Sequence, residues 1–329
     1  NKKMIERQTV FILGAGASVP YKFPTADQLN KDIIEHFENN LKNWATENYR
    51  QSPLDRNRIN WAIKKIVDDT EKFRGNFRKG PGLSIDRYLT DNPSFLSPGK
   101  KAILLSIALK EHLSRFLYEV DIEYRKQDWY KDLFNELIKD FRGPKNCQIN
   151  KNHVSFVTFN YDRSLEHFLH MSLTSHYTEM STDILTEEIL SIPIIHVYGT
   201  IGNLPWQNSN SVEYGSRLNE YDINQLVDNL FVIKEERENP NAELAKAEIQ
   251  KAKRIFFLGF GFAEDNLQVL DIPKILPDDV EIYATNMGLT NRKKDEIDKL
   301  LRKPSRQVHI GENPTDCVKL LEEHFLSYR

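Results

Sequence analysis

The stretch Thr9-Val10-Phe11-Ile12-Leu13-Gly14-Ala15-Gly16-Ala17-Ser18 decides the fold class of this chain. An apolar run that ends in closely spaced glycines predicts a buried strand followed by a tight turn. A helix is predicted next, because Thr25-Ala26-Asp27-Gln28 fits a capping box. Leu29, Ile33 and Phe37 then recur every four residues and give that helix one apolar face. A strand, a glycine turn and an amphipathic helix are typical of the first unit of a parallel α/β sheet.

Short apolar runs separated by helical segments occupy the chain after residue 150, which is the alternation expected of parallel strands joined by crossover helices. The runs span Val154 to Phe159, Ile192 to Val197, Ile255 to Leu258, Val280 to Ala284 and Gln307 to Ile310. With the strand Val10 to Leu13, they predict an α/β fold built on a Rossmann-like parallel sheet of about six strands. The order of the strands does not follow from the sequence.

The region from about residue 40 to residue 142 shows helical patterns only. Its apolar positions are Trp61, Ile66, Val67, Ile103, Ile107, Leu113, Phe116, Leu117, Val120, Trp129, Leu133, Leu137 and Phe141. Glycine and proline predict a break over residues 74–82 and an end at Gly143-Pro144. We therefore expect residues 5–39 and 150–329 to form one Rossmann-like domain, with residues 40–149 as an inserted helical subdomain. The polar segment 204–239 is predicted to be loop with a short helix.

The composition excludes several classes of protein. The 329 residues carry a net charge of −3, and the absence of a basic surplus argues against direct nucleic-acid binding. Two cysteines, Cys147 and Cys317, are too few and too far apart for a four-thiolate zinc site or a disulfide framework, so no metal is expected. No secretion signal and no apolar span of about 20 residues is found, which predicts a cytoplasmic protein that does not enter a membrane.

Polar residues stand where one of the predicted strands ends. Thr158-Phe159-Asn160-Tyr161-Asp162 follows the second strand, and ligands of parallel α/β sheets bind at such carboxyl ends. Asn160 can donate and accept hydrogen bonds, which suits a ribose hydroxyl or a water molecule. The structural alternatives are that Asn160 closes a turn and that Asp162 caps the following helix.

Three further motifs stand at the ends of later strands. His196-Val197-Tyr198-Gly199 contains a histidine that either serves in chemistry or is a hydrogen-bonded core residue. Gly259-Phe260-Gly261 is a second glycine turn whose backbone amides could meet a phosphate. Asn286 could reach an adenosine ribose. Taken alone, these glycines would form an ordinary turn and Asn286 would lie in a solvated loop.

In this order and at these strand ends, the motifs resemble the pattern of the sirtuins. The resemblance covers roughly residues 8 to 28 and 153 to 290. It implies a Rossmann-like domain that binds NAD⁺ as its substrate, with a helical subdomain inserted after the first helix. The residues implied to contact NAD⁺ are Gly14, Ala15, Gly16, Ser18, Thr25, Tyr198, Gly199, Gly259, Gly261 and Asn286.

The same resemblance implies that Asn160 and Asp162 lie beside the nicotinamide ribose with a catalytic histidine. In the sirtuins this histidine directly precedes the glycine, whereas here Tyr198 precedes Gly199. Strand side chains alternate between faces, so His196 is expected on the same side as Tyr198. We therefore take His196 as the candidate general base and Tyr198 as the alternative.

Two departures from the sirtuin pattern bear on the reaction. Deacylating sirtuins carry a phenylalanine and an arginine where this chain has Ala26 and Asp27, and they also carry a four-cysteine zinc module. The chain is therefore more similar to the sirtuin-like NAD⁺ hydrolases of bacterial anti-phage defence, which release nicotinamide and deplete the cell of NAD⁺. Two alternatives are an NAD⁺-dependent protein deacylase and a non-catalytic module that senses NAD⁺ or ADP-ribose. The defence family also implies a homo-oligomer and a separately encoded partner, such as a hexameric DNA-translocase-type ATPase.

Overall fold

The computed structural model describes residues 5–48, 53–80, 82, 84–114, 127–208, 211–216, 218, 220–233, 239–311 and 313–326. The predicted helical positions Phe116, Leu117 and Val120 lie outside the described residues. None of the helices in the described ranges is long and apolar enough to span a membrane.

Six parallel strands form one sheet in the order β3-β2-β1-β4-β5-β6. The strands are β1 Thr9–Leu13, β2 Val154–Thr158, β3 Ile194–His196, β4 Arg254–Leu258, β5 Glu281–Ala284 and β6 Gln307–Ile310. The prediction of a Rossmann-like α/β fold with six parallel strands is confirmed, and each strand lies within a few residues of its predicted position. The order of the strands is that of the doubly wound dinucleotide-binding folds.

The first strand lies at the centre of the sheet, and all five of its residues are buried. The Phe11 ring stacks between Phe156 and Phe256, with ring centroids 5.2 and 5.3 Å away. The register pairs Leu13 with Thr158 on one side and with Leu258 on the other. The loops that follow β1, β2 and β4 therefore leave the sheet side by side at its carboxyl edge.

Helices cover both faces of the sheet and fill most of the chain between β1 and β2. They are α1 Ala15–Ser18, α2 Ala26–Lys31, α3 Phe37–Asn48, α4 Pro53–Arg78, α5 Ile85–Asp91, α6 Leu96–Leu113, α7 Trp129–Ile138, α8 Ser164–His176, α9 Thr182–Leu190, α10 Glu220–Leu226, α11 Pro240–Lys251, α12 Glu264–Val269, α13 Asn291–Leu301 and α14 Cys317–His324. A π-helical turn, Asp32–His36, joins α2 to α3. The short helix predicted within 204–239 is α10.

The capping box predicted at the start of α2 is present. The Thr25 side chain accepts a hydrogen bond from the Gln28 amide, and the Gln28 side chain accepts one from the Thr25 amide. The apolar face of this segment is buried as expected, since Leu29, Ile33 and Phe37 are each at most 6% exposed. The entry of the chain from the first turn into the helical region is thus fixed locally by its sequence.

The predicted break over residues 74–82 is wrong for its first half, because α4 continues to Arg78. Gly75 lies inside this helix with open space around it. One glycine in a helix interior costs only about 1 kcal/mol relative to alanine, and Arg74 adds a hydrogen bond from its Nε to the Thr70 hydroxyl one turn earlier. The helix ends only where Gly80 donates its amide to the Phe77 carbonyl.

Helix α7 packs against α8 and α14, the helices that cover the sheet, although it precedes β2 in the chain. The α4 helix instead packs against α3 and α6. The helical region between β1 and β2 therefore contains one group of helices that pack on one another and a last helix that lies against the sheet layer.

Candidate functional site

Two glycine turns pack against each other at the carboxyl ends of β1 and β4. The Gly14 amide donates to the Leu258 carbonyl and the Gly16 amide to the Gly259 carbonyl, both at 3.0 Å. Gly259 has a φ of +57°, and a Cβ atom there would lie 2.0 Å from the Ala17 nitrogen. No other residue type fits at position 259, since any side chain would both strain the backbone and separate the turns.

The amides of the glycine turns are largely used within the protein. Besides Gly14 and Gly16, Gly259 donates its amide to the Thr285 hydroxyl at 2.8 Å. The amides of these three glycines are therefore not free to meet a phosphate, and the contact of the two turns with NAD⁺ stays a prediction. The glycines instead let two backbone segments approach closely and leave an open cleft beside them.

The cleft has two adjoining lobes on either side of the glycine turns. The first lobe, a cavity of about 390 Å³, is lined among others by Asn160 and Tyr198, and the second lobe, of about 360 Å³, by Asp316 and Cys317. Both lobes share a common wall formed by Gly16, Thr25, Gly259, Phe260, Gly261 and Met287. The cleft thus lies at the switch point of the strand order, where doubly wound sheets bind ligands.

Most of the predicted site residues line the first lobe. They are Gly14, Ala15, Gly16, Ser18, Thr25, Asn160, Asp162, Tyr198, Gly259 and Gly261. The others lie elsewhere: His196 and Gly199 line a separate cavity together with Glu166 and Asn241. Asn286 lines neither lobe of the cleft in the described part of the chain.

The expected position of Asn286 at an adenosine ribose is not supported by its contacts. Its Nδ2 donates to the carbonyls of Gly311 and Asn313, and its Oδ1 accepts from the Thr315 amide at 2.7 Å. The side chain is 3% exposed. Asn286 therefore anchors the loop that follows β6, and the second lobe is bordered by Asp316 and Cys317 just beyond that loop.

Asn160 connects the first glycine turn to the loop after β2. Its Nδ2 donates to the Gly14 carbonyl at 3.1 Å and to the Ser18 hydroxyl at 2.9 Å. Its backbone amide donates to the Thr158 hydroxyl. Asn160 lines the first lobe, and its Oδ1 accepts no hydrogen bond from the described residues, which leaves an acceptor for a ligand hydroxyl or a water.

Asp162 holds the first residue of α8, although the N-cap position itself is occupied by Arg163 and not by Asp162 as the structural alternative predicted. Its Oδ1 accepts hydrogen bonds from the backbone amide and the hydroxyl of Ser164, at the start of α8. Burial raises the pKa of Asp162, although hydrogen bonds from the hydroxyls of Ser164 and Ser18 partly offset that effect. The Tyr130 hydroxyl lies 2.9 Å from the Ser164 hydroxyl and extends this network into α7.

Helix α7 packs against the segment that follows the first glycine turn and stabilises it. The indole nitrogen of Trp129 donates to the Ala17 carbonyl at 2.8 Å, and the Tyr130 amide donates to the Tyr21 hydroxyl at 2.8 Å. The rings of Tyr21 and Tyr130 stack with centroids 3.8 Å apart. These buried contacts hold the wall of the cleft in one position before any ligand arrives.

His196 lies behind Asn160, with both ring nitrogens hydrogen-bonded. Nδ1 is 2.8 Å from the Asn160 carbonyl and Nε2 is 2.5 Å from Glu166 Oε1. A carbonyl and an ionised carboxylate only accept, so this geometry favours the imidazolium form, in which both nitrogens donate. Burial opposes this charge, but the adjoining Glu166 carboxylate outweighs it, and the pKa of His196 is raised.

Tyr198 does not continue the strand alternation from His196. The strand β3 ends at His196, and the Gly199 amide turns back to the His196 carbonyl. Tyr198 therefore lines the first lobe while His196 faces another cavity. Its hydroxyl donates to Asn266 Oδ1 at 2.8 Å, and burial raises the pKa of this phenol, so it stays neutral.

The charge on His196 predicts a pH-dependent stability. A histidine whose pKa is raised by folding stabilises the protein fully below its unfolded pKa of about 6.5, and that contribution disappears as the pH rises through the folded value. Glu166→Gln removes the charge that raises this pKa. We expect the difference in free energy of unfolding between wild type and Glu166→Gln, measured with urea, to be largest near pH 6 and to shrink in alkaline solution.

The matched control for this measurement is Glu187→Gln, which changes an exposed glutamate on α9. Its difference from wild type is expected to be small and flat with pH. A Glu166→Gln difference that is equally flat would contradict an imidazolium at His196.

Sequence reasoning missed two charged residues of this region, Asp86 and Arg163. Asp86 comes from α5 and lines the first lobe. Arg163 is 1% exposed and pairs with Glu111 of α6. Neither stands in a local motif, and only the tertiary structure brings them to the site.

The fold and the cleft together define a Rossmann-like α/β protein with a two-lobed cleft at the switch point of its sheet. Within the described ranges, no group of three or more His, Cys, Asp or Glu side chains is placed to hold a metal ion. A comparison with models of known protein families finds no match, and a search of curated proteins also finds none.

Proposed function

We propose that this protein is an NAD⁺ glycohydrolase that cleaves the bond between nicotinamide and ribose and releases nicotinamide with ADP-ribose, linear or cyclic. The observation that carries the proposal is the two-lobed cleft centred on the packed turns of Gly14, Gly16 and Gly259. Two lobes joined along a glycine wall suit a ligand with two nucleoside halves. The order of motifs, which resembles that of sirtuin-like defence hydrolases, adds the substrate and the reaction.

The chemistry of this reaction determines what the site must supply. Cleavage passes through an oxocarbenium-like ribose, and the leaving nicotinamide departs as a neutral pyridine. The site therefore needs orientation and charge stabilisation more than acid catalysis. The Asn160 Oδ1 is the oriented acceptor for the nicotinamide ribose or for the attacking water, with Asp162 holding the start of α8 beside it.

His196 enters this proposal as a positioning residue. Its ring nitrogens are both donors, so it supports the Asn160 backbone but offers no free lone pair for a proton. The same observation, together with Tyr198 in front of Gly199, favours the second candidate, a module that binds NAD⁺ or ADP-ribose without turnover.

Incubation of the full chain with NAD⁺ and chromatographic separation of the products distinguishes these functions. Free nicotinamide formed without a peptide supports hydrolysis. Binding of NAD⁺ by calorimetry with unchanged dinucleotide supports sensing, and a requirement for an acylated peptide supports deacylation. Because defence hydrolases are held inactive until triggered, NAD⁺ is also measured in cells that express the protein before and after phage infection.

The biological setting belongs to the same proposal. We place the reaction in the cytoplasm, where the NAD⁺ pool and infecting phage DNA meet, and we expect a homo-oligomer with a separately encoded hexameric DNA-translocase-type ATPase as the trigger. Light scattering of the chain alone and with the products of neighbouring genes tests this. A monomer under both conditions would remove the expected assembly.

A further inference from the structure

The carboxylate of Asp86 borders the first lobe of the cleft, although it comes from the helical region between β1 and β2. It lies in the first turn of α5, whose start is capped by the Ser84 hydroxyl. The Tyr161 hydroxyl, from the loop after β2, donates to Asp86 Oδ1 at 2.6 Å. The residues that line this lobe include Asp86, Asn160 and Tyr198 together.

Among the described residues, no cation forms an ion pair with Asp86. Two phenols face it, Tyr161 and Tyr198, and the nearby carboxylate is Asp265 of α12. Arg87 pairs with Asp265 at 3.3 Å and with Asp91 at 3.1 Å, so its charge is directed along the surface of α5 and α12. Burial raises the pKa of Asp86 to about 6, an effect that the Tyr161 hydrogen bond partly opposes.

The other ionisable groups at or behind the first lobe are poorly placed to accept a proton, and Asp27, which also lines this lobe, is exposed in the first turn of α2. His196 donates from both nitrogens and faces another cavity. Tyr198 is a neutral phenol that donates to Asn266. Asp162 Oδ1 holds the hydroxyl and amide of Ser164. Asp86 is the half-buried carboxylate whose ionisation falls in the range useful to a general base.

We infer that Asp86 is the proton acceptor for the attacking water in the proposed cleavage of NAD⁺. The inference rests on the proposed function. Water oxygen forms a bond to the ribose C1′ while the C1′–N bond breaks, and the electron pair of that bond leaves with nicotinamide. The water proton passes to the Asp86 carboxylate and then to solvent, so NAD⁺ and water give ADP-ribose, nicotinamide and one proton.

Asp86 could also serve only to hold the Tyr161 hydroxyl. The dependence of kcat on pH distinguishes this structural role from that of a proton acceptor. A carboxylate base is active only when ionised, so cleavage should fall below its pKa. In wild type we expect kcat to fall on the acid side of about pH 6. In Asp86→Asn we expect kcat at pH 7.5 to drop about 100-fold, the acid limb to disappear, and the Kd for NAD⁺ to change little.

The matched control is Asp183→Asn. Asp183 also stands two residues after a capping serine, Ser181, in the first turn of α9, but it is exposed. It should keep the wild-type rate and acid limb. If the wild type cleaves NAD⁺ and Asp86→Asn keeps either its rate or its acid limb, the inference is overturned and the proposed function stays intact.

A second variant covers the case in which Asp86→Asn fails to fold. Tyr161→Phe keeps the carboxylate but removes the hydrogen bond that lowers the pKa of Asp86, so the acid limb should move to higher pH. A limb that does not move overturns the inference. If wild type binds NAD⁺ but cleaves none, either purified or in phage-infected cells, both the inference and the proposed function fall.

Discussion

Replacement of Glu111 by alanine is expected to lower the free energy of unfolding by about 3–5 kcal/mol, because it leaves a buried guanidinium without its counter-charge. Arg163 and Glu111 are 1% and 2% exposed. Their side chains form two parallel hydrogen bonds, from Nε to Oε1 at 2.9 Å and from Nη2 to Oε2 at 2.7 Å. The pair joins α6 to the start of α8, beside Asp162.

The loss should extend beyond the ion pair itself. Arg163 also donates to the carbonyls of Asn203 and Val212, at 3.1 and 2.7 Å, and Glu111 accepts from the Gly215 amide at 3.1 Å. These contacts hold the polar loop that follows β3 against α6 and the start of α8. An arginine that loses its carboxylate still occupies the site, so the variant tests the charge more than the packing.

Urea unfolding of Glu111→Ala is compared with that of Glu243→Ala. Glu243 is an exposed helical glutamate whose pair with Lys246, at 2.8 Å, is of the kind that contributes about 0–1 kcal/mol. If Glu111→Ala were no more destabilising than this control, the buried pair would not have the structural importance assigned to it.

The centre of the sheet could be predicted from sequence because β1, β2 and nearly all of β4 are buried on both faces. A buried parallel strand is a short apolar run between turn residues, so these three strands can be recognised without knowledge of their neighbours. Gly14, Gly16 and Gly259 were found for the same reason, since a glycine after such a run marks a turn. Their packing against one another depends on the order of the strands, which no local pattern contains.

The remaining parts of the site depend on contacts distant in sequence. In the sequence, Arg163 cannot be distinguished from an ordinary surface arginine, because its partner Glu111 lies 52 residues earlier. Asp86 and Tyr161 are 75 residues apart and meet only because α5 folds over the carboxyl edge of the sheet. Asn286 was located correctly at a strand end, but the loop that takes all of its side-chain hydrogen bonds comes after β6.

Asn160→Ala is expected to reduce NAD⁺ cleavage about 1,000-fold, which is the size of effect reported by removal of an oriented polar group from a reacting centre. The side chain both holds the first glycine turn, through the Gly14 carbonyl and the Ser18 hydroxyl, and directs its Oδ1 to the first lobe. Alanine removes both functions. The rate is measured as nicotinamide release at saturating NAD⁺.

Two further variants separate the functions of this side chain. Ser18→Ala removes one of the two partners of Asn160 Nδ2 together with the hydrogen bond to Asp162. A loss of about fivefold is expected for each missing neutral hydrogen bond of about 1 kcal/mol. Asn160→Asp keeps the size and the free oxygen, but it replaces a donor with an oxygen facing the Gly14 carbonyl. It should be nearly as inactive as Asn160→Ala, since a turn forced away from its strand misplaces the ribose as well.

The pH profile distinguishes Asn160 from a proton acceptor. An amide does not titrate near neutrality, so the small residual activity of Asn160→Ala should keep the acid limb set by Asp86, at about pH 6. A shifted limb would place Asn160 in the proton transfer itself. If Asn160→Ala cleaved NAD⁺ at the wild-type rate, the Asn160 amide would have no role in the reaction. An oriented acceptor at the first lobe would then not be what positions the substrate for cleavage, and a histidine would again be a candidate for that role.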